Sequence, residues 1–324
     1  MATKILVSPK FPAAMLEIAR SFVPAGFEMV VVDAGTPEFT AALADAAYYV
    51  GFPRPELNSE FFKAASGLKL VQLISAGYDR LDVAAAKRAG VPVANNGGSN
   101  SVAVAEHTLM LMLAVYRKLS WHHGNVITGK WRVGDFASNR TYELEGKTLG
   151  IVGLGTIGKK VARRAAAFDM KIVYYDIARL VEDAEDALGV RFMLLPELLR
   201  TADIVSLHVP LNAVTRNMFG AREMGMMRPS AVLINTCRGP VVDENALHTA
   251  LTSKVIAAAG LDVMVEEPPI ANLPLFALEN VTFTPHTAGP TWDNWFKAFR
   301  NAFDNVQRVA RGERPLWVIP ELRS

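Results

Sequence analysis

The stretch LGIVGLGTIGKKVARRAAAFDMKIVYYD, residues 149–176, decides the fold of this chain. An apolar run of buried-strand type leads into Gly153, Gly155 and Gly158, which form a G-x-G-x-x-G turn. Apolar residues then recur at helical spacing, and a second apolar run, KIVYY, ends at Asp176. This pattern predicts a strand, a tight turn, a helix and a second parallel strand.

Each part of this unit suits a dinucleotide. The first glycine permits the turn, the second lets a pyrophosphate approach the backbone, and the third lets the helix pack on the strand. The phosphates would lie at the helix N-terminus, where unpaired N–H groups favour negative charge. Asp176 can accept a hydrogen bond from the adenosine ribose and would repel the extra phosphate of NADP, so we expect NAD. The alternative is a glycine-rich turn that binds nothing.

Composition bounds the class of protein. A length of 324 residues suggests about two domains. A net charge of +2, without long runs of like charge, argues against a nucleic-acid or membrane-surface partner. The single cysteine, Cys237, excludes an intrachain disulfide and fits a reducing compartment. With no signal-peptide pattern, no membrane-spanning apolar stretch and no metal-ligand spacing, we expect a cytoplasmic protein without a metal site.

The rest of the chain also alternates strand and helix patterns. Five strands are predicted before residue 100, in a small doubly wound parallel-sheet domain without a glycine fingerprint, at 4–8, 28–32, 47–51, 69–74 and 92–95. Six strands are predicted for the dinucleotide-binding sheet, at 149–152, 171–175, 204–208, 231–235, 258–263 and 281–285. The fold class is therefore α/β, with two doubly wound parallel sheets.

Three further segments differ from this alternation in their composition and in the spacing of their apolar residues. Residues 101–119 predict a long apolar helix, whereas 120–147 are polar with little periodicity and are interpreted as an irregular dimer arm. Residues 291–311 predict a terminal helix whose aromatic residues recur at steps of three and four. We expect this stripe to be buried against the first domain rather than to contact a cofactor or substrate.

An enzyme that uses nicotinamide needs a group that moves a proton and a cation that holds an anionic substrate. Such groups should follow strands of the nucleotide-binding sheet, at their carboxyl ends. Arg238, the pair Glu266 and Glu267, and His286 each follow a predicted strand. Taken singly, such residues are more often a surface charge, a solvated loop and a structural histidine. Their joint arrangement after a dinucleotide fingerprint favours catalysis.

At these residues the sequence resembles the D-isomer-specific 2-hydroxyacid dehydrogenases, which depend on NAD(P), over essentially the whole chain. The segments that carry the resemblance are KTLGIVGLGTIG (147–158), VLINTCRGPVVDENAL (232–247), GLDVMVEEP (260–268), NVTFTPHTAG (280–289), SAGYDRLD (75–82) and SVAVAEHTLMLMLA (101–114). The resemblance implies a Rossmann NAD-binding domain, residues 101–289, inserted into a smaller flavodoxin-like substrate domain, residues 1–100 with 290–324. It also implies a homodimer built on the NAD-binding domain.

The resemblance further implies a catalytic set of Arg238, Glu267 and His286. Glu267 rather than Glu266 matches the family position, because it immediately precedes Pro268. Arg238 would hold the carboxylate of a 2-keto acid and polarise its carbonyl. His286 would move the proton, and Glu267 would orient the imidazole and favour its charged form.

The implied ligand contacts are more extensive. The expected cofactor contacts are Gly153, Gly155, Thr156, Ile157, Gly158, Asp176, Val209, Pro210, Thr236 and Asp262. The expected substrate contacts are Ala76 and Gly77 through their amides, Arg238, and Phe52 and Arg54 at the position that meets the substrate side chain. Arg54 could favour a second anionic group or be a surface charge. Cys237 is interpreted as a small wall residue rather than a nucleophile.

The sequence therefore predicts an NAD-dependent oxidoreductase of D-2-hydroxy acids and 2-keto acids, such as glyoxylate or hydroxypyruvate. Departures from the family pattern at Thr287 and at 290–292 leave the size of the substrate open. The lack of a C-terminal regulatory extension argues against the long phosphoglycerate dehydrogenases. Two alternatives stay open: a formate or phosphite dehydrogenase on the same scaffold, and a dinucleotide-sensing binding protein similar to transcriptional corepressors.

Overall fold

The computed structural model describes residues 2–53, 57–134, 137 and 139–323. The chain divides into two compact units, one formed by Met1–Asn100 with Pro290–Ser324 and the other by Ser101–Gly289. Strands and helices are labelled β1–β12 and α1–α12 in chain order. Among the described residues, no helix is both long and apolar enough to cross a membrane.

The first unit contains a five-stranded parallel sheet. Its strands are β1 (Thr3–Ser8), β2 (Phe27–Val31), β3 (Tyr48–Gly51), β4 (Leu70–Leu73) and β5 (Val93–Ala94). Their order is β2-β1-β3-β4-β5, which is the order of flavodoxin-like sheets. The prediction of five strands in a small doubly wound sheet is confirmed.

Helices cover both faces of this sheet. They are α1 (Ala13–Ser21), α2 (Pro37–Ala44), α3 (Ser59–Ala64), α4 (Val83–Ala89) and the terminal α12 (Trp292–Ala310). Phe299 and Phe303 of α12 are fully buried beside Ile5 of β1, as the aromatic spacing predicts. The predicted stripe is wrong at its first residue, because Trp292 is 56% exposed in the first turn of the helix.

Buried amides also hold α12 in this unit. The Asn305 Nδ2 atom donates to Gln72 Oε1 of β4 at 2.8 Å, and Asn305 Oδ1 accepts from the Leu316 amide at 2.8 Å. Asn96 Nδ2, just beyond β5, donates to the Ala298 carbonyl at 2.9 Å. Because Asn305, Gln72 and Asn96 are fully buried, these bonds are shielded from water.

Asn305→Leu should therefore lower the free energy of unfolding by about 2–4 kcal/mol, because it leaves the buried Gln72 oxygen and the part-buried Leu316 amide without the partner they have in the structure. Urea unfolding followed by circular dichroism measures this change. The matched control is Asp304→Asn, an exposed change on the same helix, which should stay within about 0.5 kcal/mol of the wild type. Equal stabilities for the two variants would contradict the role given to this amide cluster.

The second unit contains a seven-stranded parallel sheet. Its strands are β6 (Thr148–Val152), β7 (Lys171–Tyr175), β8 (Val190–Phe192), β9 (Ile204–Leu207), β10 (Val232–Asn235), β11 (Ala258–Leu261) and β12 (Val281–Phe283). Their order is β12-β11-β10-β9-β6-β7-β8, which contains the strand order of dinucleotide-binding folds. All six predicted strands are present, but the predicted count is wrong by the edge strand β8. Only Val190 of β8 is buried, so this edge strand lacks the apolar run that marks the other strands.

The described residues of this unit also form seven helices. They are α5 (Ser101–Tyr116), α6 (Leu119–Ile127), α7 (Thr156–Ala166), α8 (Glu182–Leu188), α9 (Leu195–Thr201), α10 (Ala221–Met226) and α11 (Glu244–Thr252). Short 3₁₀ turns occur at Gly239–Val241 and Pro274–Ala277, with a third, Pro320–Leu322, in the first unit. The interpretation of residues 120–147 as wholly irregular is wrong, because α6 extends to Ile127. None of its residues is buried within the chain, so no apolar stripe marks it as a helix.

Candidate active site

The glycine turn joins β6 to α7 at the centre of the larger sheet. A Cβ atom at Gly153, where φ is +96°, would lie 2.6 Å from the His208 carbonyl oxygen, and one at Gly158 would lie 2.3 Å from the Gly153 oxygen. Both positions therefore exclude a side chain. A Cβ atom at Gly155 would meet no atom within 4 Å, so there is open space beside the Gly155 backbone.

This opening lies at the N-terminus of α7, which begins at Thr156 and Ile157. The N-cap residue is Gly155, which has no side chain with which to cap the first amides of the helix. Free amides and the positive end of the helix dipole suit a pyrophosphate. The residues present therefore fit a dinucleotide at this turn.

Asp176 follows β7 and is tied to the same turn. Its Oδ2 atom accepts from the Leu154 amide at 2.7 Å, and its Oδ1 atom accepts from the Ala178 amide at 3.0 Å. Each carboxylate oxygen has a second lone pair, so Asp176 can still accept from a ribose hydroxyl. Val209, another predicted cofactor contact, has its Cγ1 atom 3.1 Å from the Cβ position of Gly153. Pro210 follows it and is exposed.

The three candidate catalytic residues follow three neighbouring strands. Arg238 lies beyond β10, Glu267 beyond β11 and His286 beyond β12, and these strands are adjacent in the sheet. Because parallel strands end at one edge of a sheet, the three side chains share the carboxyl edge that contains the glycine turn.

His286 and Glu267 form a direct hydrogen bond. The His286 Nδ1 atom lies 2.7 Å from Glu267 Oε2, and the two side chains are 45% and 27% exposed. Partial burial alone would raise the pKa of the Glu267 carboxyl, but the hydrogen bond and charge of His286 outweigh it, and the net pKa shift is downward. Glu267 is therefore ionised at neutral pH and accepts from Nδ1–H, which leaves Nε2 as the nitrogen that gains or loses a proton.

Arg238 is held beside this pair. A Cβ atom at Gly239 would lie 1.9 Å from the Met264 carbonyl oxygen, so the loop after β10 packs directly on the loop that carries Glu267. The Arg238 Nη1 atom donates to the Cys237 carbonyl at 2.7 Å. The guanidinium charge also contributes to the lowered pKa of Glu267.

Cys237 has the character of a wall residue. Its Sγ atom lies 3.1 Å from Asn235 Oδ1, and burial raises the pKa of its thiol to about 11. A thiol with this pKa stays protonated at neutral pH, and a protonated thiol is a poor nucleophile.

Asp262 and Thr236 occupy positions that the resemblance assigns to the nicotinamide end of the cofactor. The Asp262 carboxylate is fully buried and accepts from the Thr284 hydroxyl at 2.6 Å and from the Thr287 and Ala288 amides at 2.9 and 3.0 Å. Its partners are thus on the loop that carries His286. The Thr236 Oγ1 atom lies 3.0 Å from the Thr108 hydroxyl. Direct contacts of Asp262 and Thr236 with the cofactor stay predictions.

The sequence analysis did not single out His107, whose Nε2 atom lies 2.8 Å from the Thr284 hydroxyl. The available signal was an imidazole within an otherwise apolar helix, α5. That signal does not reveal the partner of the imidazole, which is 177 residues away in the chain.

The predicted substrate residues of the first unit follow β3 and β4. The Ala76 carbonyl accepts from Asn95 Nδ2 and the Gly77 carbonyl accepts from Ser75 Oγ, both at 2.8 Å, which fixes this turn. Phe52 is half-buried, and its ring centroid lies 6.5 Å from that of Trp295. Arg54 lies outside the described residues. Within the part of the chain that the structure describes, no group of histidine, cysteine and acidic residues could hold a metal ion.

The glycine turn, Asp176 and the polar edge beside them define an NAD-binding oxidoreductase. A family model described as "D-isomer specific 2-hydroxyacid dehydrogenase, NAD binding domain" matches residues 109–288. The glyoxylate reductase of Korarchaeum cryptofilum is 40% identical over 260 residues, covering 80% of this chain and 78% of that protein. That of Thermococcus litoralis is 39% identical, covering 80% and 79%.

Solved structures extend the similarity to nearly the whole chain. The apo D-mandelate dehydrogenase of Rhodotorula graminis has a TM-score of 0.87 at 29% identity and 98% coverage of both chains. The NAD-complexed D-isomer specific 2-hydroxyacid dehydrogenase of Lactobacillus delbrueckii ssp. bulgaricus has a TM-score of 0.84 at 25% identity, covering 98% of this chain and all of that one. The chain belongs to the D-isomer specific 2-hydroxyacid dehydrogenase family. It is an NAD-dependent oxidoreductase of the 2-hydroxy acid and 2-keto acid class.

Proposed function

We propose that this protein reduces a small 2-keto acid, such as glyoxylate or hydroxypyruvate, to the D-2-hydroxy acid, and catalyses the reverse oxidation. The observation that carries the proposal is the 2.7 Å hydrogen bond between His286 and Glu267, with Arg238 on the neighbouring loop. These groups can hold an anion, polarise a carbonyl and move one proton. We assign NAD binding to the unit Ser101–Gly289. We assign some of the substrate contacts to the unit formed by Met1–Asn100 with Pro290–Ser324.

Arg238 would bind the substrate carboxylate. Its planar guanidinium offers paired donors at the spacing of a carboxylate, and a further N–H can polarise the adjacent carbonyl oxygen. The family resemblance assigns additional contacts with this carboxylate to the amides of Ala76 and Gly77. Their carbonyls are engaged within the turn after β4, which keeps the peptide planes in one orientation.

His286 would carry the proton. During reduction its Nε2–H would donate to the carbonyl oxygen as that oxygen gains negative charge, and during oxidation Nε2 would take the proton back. The ionised Glu267, bonded to Nδ1, fixes the orientation of the imidazole and leaves Nε2 as the atom that exchanges the proton. The nicotinamide, when bound, supplies or accepts the hydride.

A substrate panel followed by NADH absorbance tests this function. We expect consumption of NADH, in preference to NADPH, with glyoxylate or hydroxypyruvate among a series of 2-keto acids, and chiral chromatography should show the D product. Reduction of NAD by formate or phosphite, without activity on the keto acids, would favour the first alternative. Tight NADH binding without turnover of any compound would favour a dinucleotide-sensing protein.

The homodimer implied by the resemblance has a candidate surface on the larger unit. Helix α5 is largely apolar beyond Glu106 and His107, which is typical of a helix that is enclosed by other structure. Large apolar side chains on α5, on α6 and near them are nevertheless exposed: Met110 by 44%, Leu119 by 58%, Val126 by 51%, Ile127 by 69%, Trp131 by 75% and Phe168 by 40%. A second copy of the chain would cover this surface.

The single cysteine, unpaired in the structure, supports a cytoplasmic location.

Leu119→Glu should convert the dimer to a monomer, because it places a charge within this apolar surface. Light scattering coupled to size-exclusion chromatography measures the mass in solution. The control is Val214→Glu, which changes a side chain 85% exposed on another part of the same unit and should leave the dimer intact. A wild-type protein that is monomeric at high concentration would contradict the proposed dimer.

A further inference from the structure

The loop that carries His286 has an unusual backbone conformation. His286 has a φ of +54°, in the left-handed region that non-glycine residues seldom adopt. A single residue, Asp262, holds this loop through three successive amides. The His286 amide donates to the Asp262 carbonyl at 2.7 Å, and the Thr287 and Ala288 amides donate to the Asp262 carboxylate at 2.9 and 3.0 Å. The position of the His286 imidazole therefore depends on the orientation of Asp262.

The orientation of Asp262 depends in turn on a chain of two further hydrogen bonds. The Thr284 Oγ1 atom lies 2.6 Å from Asp262 Oδ1 and 2.8 Å from His107 Nε2. The His107 Nε2 atom also lies 3.4 Å from Asp262 Oδ1, but its hydrogen bond is to Thr284. The Thr284 hydroxyl donates to Asp262 Oδ1, which uses its single hydrogen. The Thr284 oxygen must then accept from the N–H at His107 Nε2. The series of hydrogen bonds that ends at the catalytic loop therefore begins at His107 of helix α5.

The chain of hydrogen bonds is enclosed by protein. The Asp262 side chain is fully buried, and the His107 side chain is 13% exposed. Because these side chains are buried, water is a poor replacement for any hydrogen bond that is lost between them. Burial lowers the pKa of the His107 imidazole despite the nearby Asp262 charge, so the ring is neutral at neutral pH. A neutral ring has a single N–H, and Thr284 requires it at Nε2.

We propose that His107 is a positioning residue for the catalytic loop, acting through Thr284 and Asp262 on His286. It touches neither the substrate nor the reacting atoms. Its N–H completes the hydrogen bonds that keep Asp262 in the rotamer from which it binds the loop amides. Without that N–H, the loop relaxes away from its left-handed backbone and the His286 imidazole loses its alignment. The inference rests on the proposed role of His286.

Four variants test this inference by steady-state kinetics on the NADH-loaded enzyme. His107→Leu removes the N–H, His107→Gln keeps one near the position of Nε2, and Thr284→Val removes the connecting hydroxyl; the fourth combines His107→Leu with Thr284→Val. We expect His107→Leu and Thr284→Val each to lower kcat by about ten-fold, since small misplacements of a catalytic group are costly. KM should change little, and His107→Gln should stay within about two-fold of the wild type.

The double variant distinguishes a connected chain from two separate effects. If His107 acts only through Thr284, the double variant should be no slower than the slower single variant, because coupled residues do not add. If the two effects multiply, to about a hundred-fold, His107 does not act through Thr284 and the proposal is overturned.

Hydrogen exchange of the cofactor-free protein provides a second readout that does not depend on activity. The peptide that contains residues 284–289 should exchange faster in His107→Leu and at the wild-type rate in His107→Gln. The matched control is Leu109→Ala, a buried apolar change two residues along α5. It should lower the Tm while leaving both kcat and the exchange of this peptide unchanged.

Three further results would overturn the proposal: wild-type kcat and exchange in His107→Leu, equal impairment of the Gln and Leu variants, or faster loop exchange in the Leu109→Ala control. A wild-type protein that turns over no 2-keto acid counts against the proposed function instead. The exchange experiment still decides the role of His107 in that case.

Discussion

Replacement of His286 by alanine should lower kcat by about 10²–10⁴-fold while NADH binding persists. The imidazole is the group placed to donate a proton to the carbonyl oxygen, and its bond to Glu267 holds Nδ1 protonated and Nε2 available. Its removal deprives the transition state of a proton donor but removes no contact with the glycine turn. Steady-state kinetics with the best 2-keto acid and NADH fluorescence titration separate the two effects.

The matched control for this variant is His248→Ala, which removes a half-buried imidazole of α11 in the same unit. It should keep wild-type kcat and NADH affinity. A His286→Ala enzyme with unchanged turnover would mean that another group carries the proton. A parallel loss of NADH binding would mean that the substitution damages the cofactor site rather than the chemistry.

Arg238→Lys should raise the KM for the 2-keto acid by about 10–100-fold, at unchanged charge. A lysine ammonium cannot reproduce the two parallel donors that a guanidinium presents to a carboxylate. The expected loss corresponds to one charge-assisted hydrogen bond, about 1.5–3 kcal/mol. Initial rates over a range of keto acid concentrations, at saturating NADH, measure it.

The control is Arg222→Lys, an exposed change on α10 that should leave KM as it is. An Arg238→Lys enzyme with an unaffected KM but weakened NADH binding would place Arg238 on the cofactor rather than on the substrate. That outcome would leave the proposed carboxylate contacts to the amides of Ala76 and Gly77.

The dinucleotide-binding fold was predictable because its signals are local. Gly158 lies where a side chain would strike the backbone of Gly153, only five residues earlier, and strand β7 occupies the predicted residues. Strand β8 and helix α6 could not be predicted in this way. The former has a single buried residue, Val190, and the latter has no side chain buried within its own chain. Neither leaves a periodic pattern in the sequence.

The edge that carries the candidate catalytic residues was also predictable, for a topological reason. Arg238, Glu267 and His286 each follow a strand, and parallel strands with short crossovers place such residues on one edge. The His286–Glu267 bond confirms that two of these segments meet. In contrast, the contact between His107 and Thr284 joins an early helix to a late strand. No local pattern encodes such a pairing, and only the three-dimensional structure brings the two side chains together.

We propose above all that His286, held by Glu267 and next to Arg238, moves a proton while a 2-keto acid is reduced. The most direct measurement is NADH absorbance during incubation of the wild-type protein and His286→Ala with a panel of 2-keto acids. In the wild type we expect NADH consumption that depends on the keto acid. In His286→Ala we expect its rate to be lower by about 10²–10⁴-fold. Equal rates in the two proteins, or no consumption by a wild type that binds NADH, would contradict it.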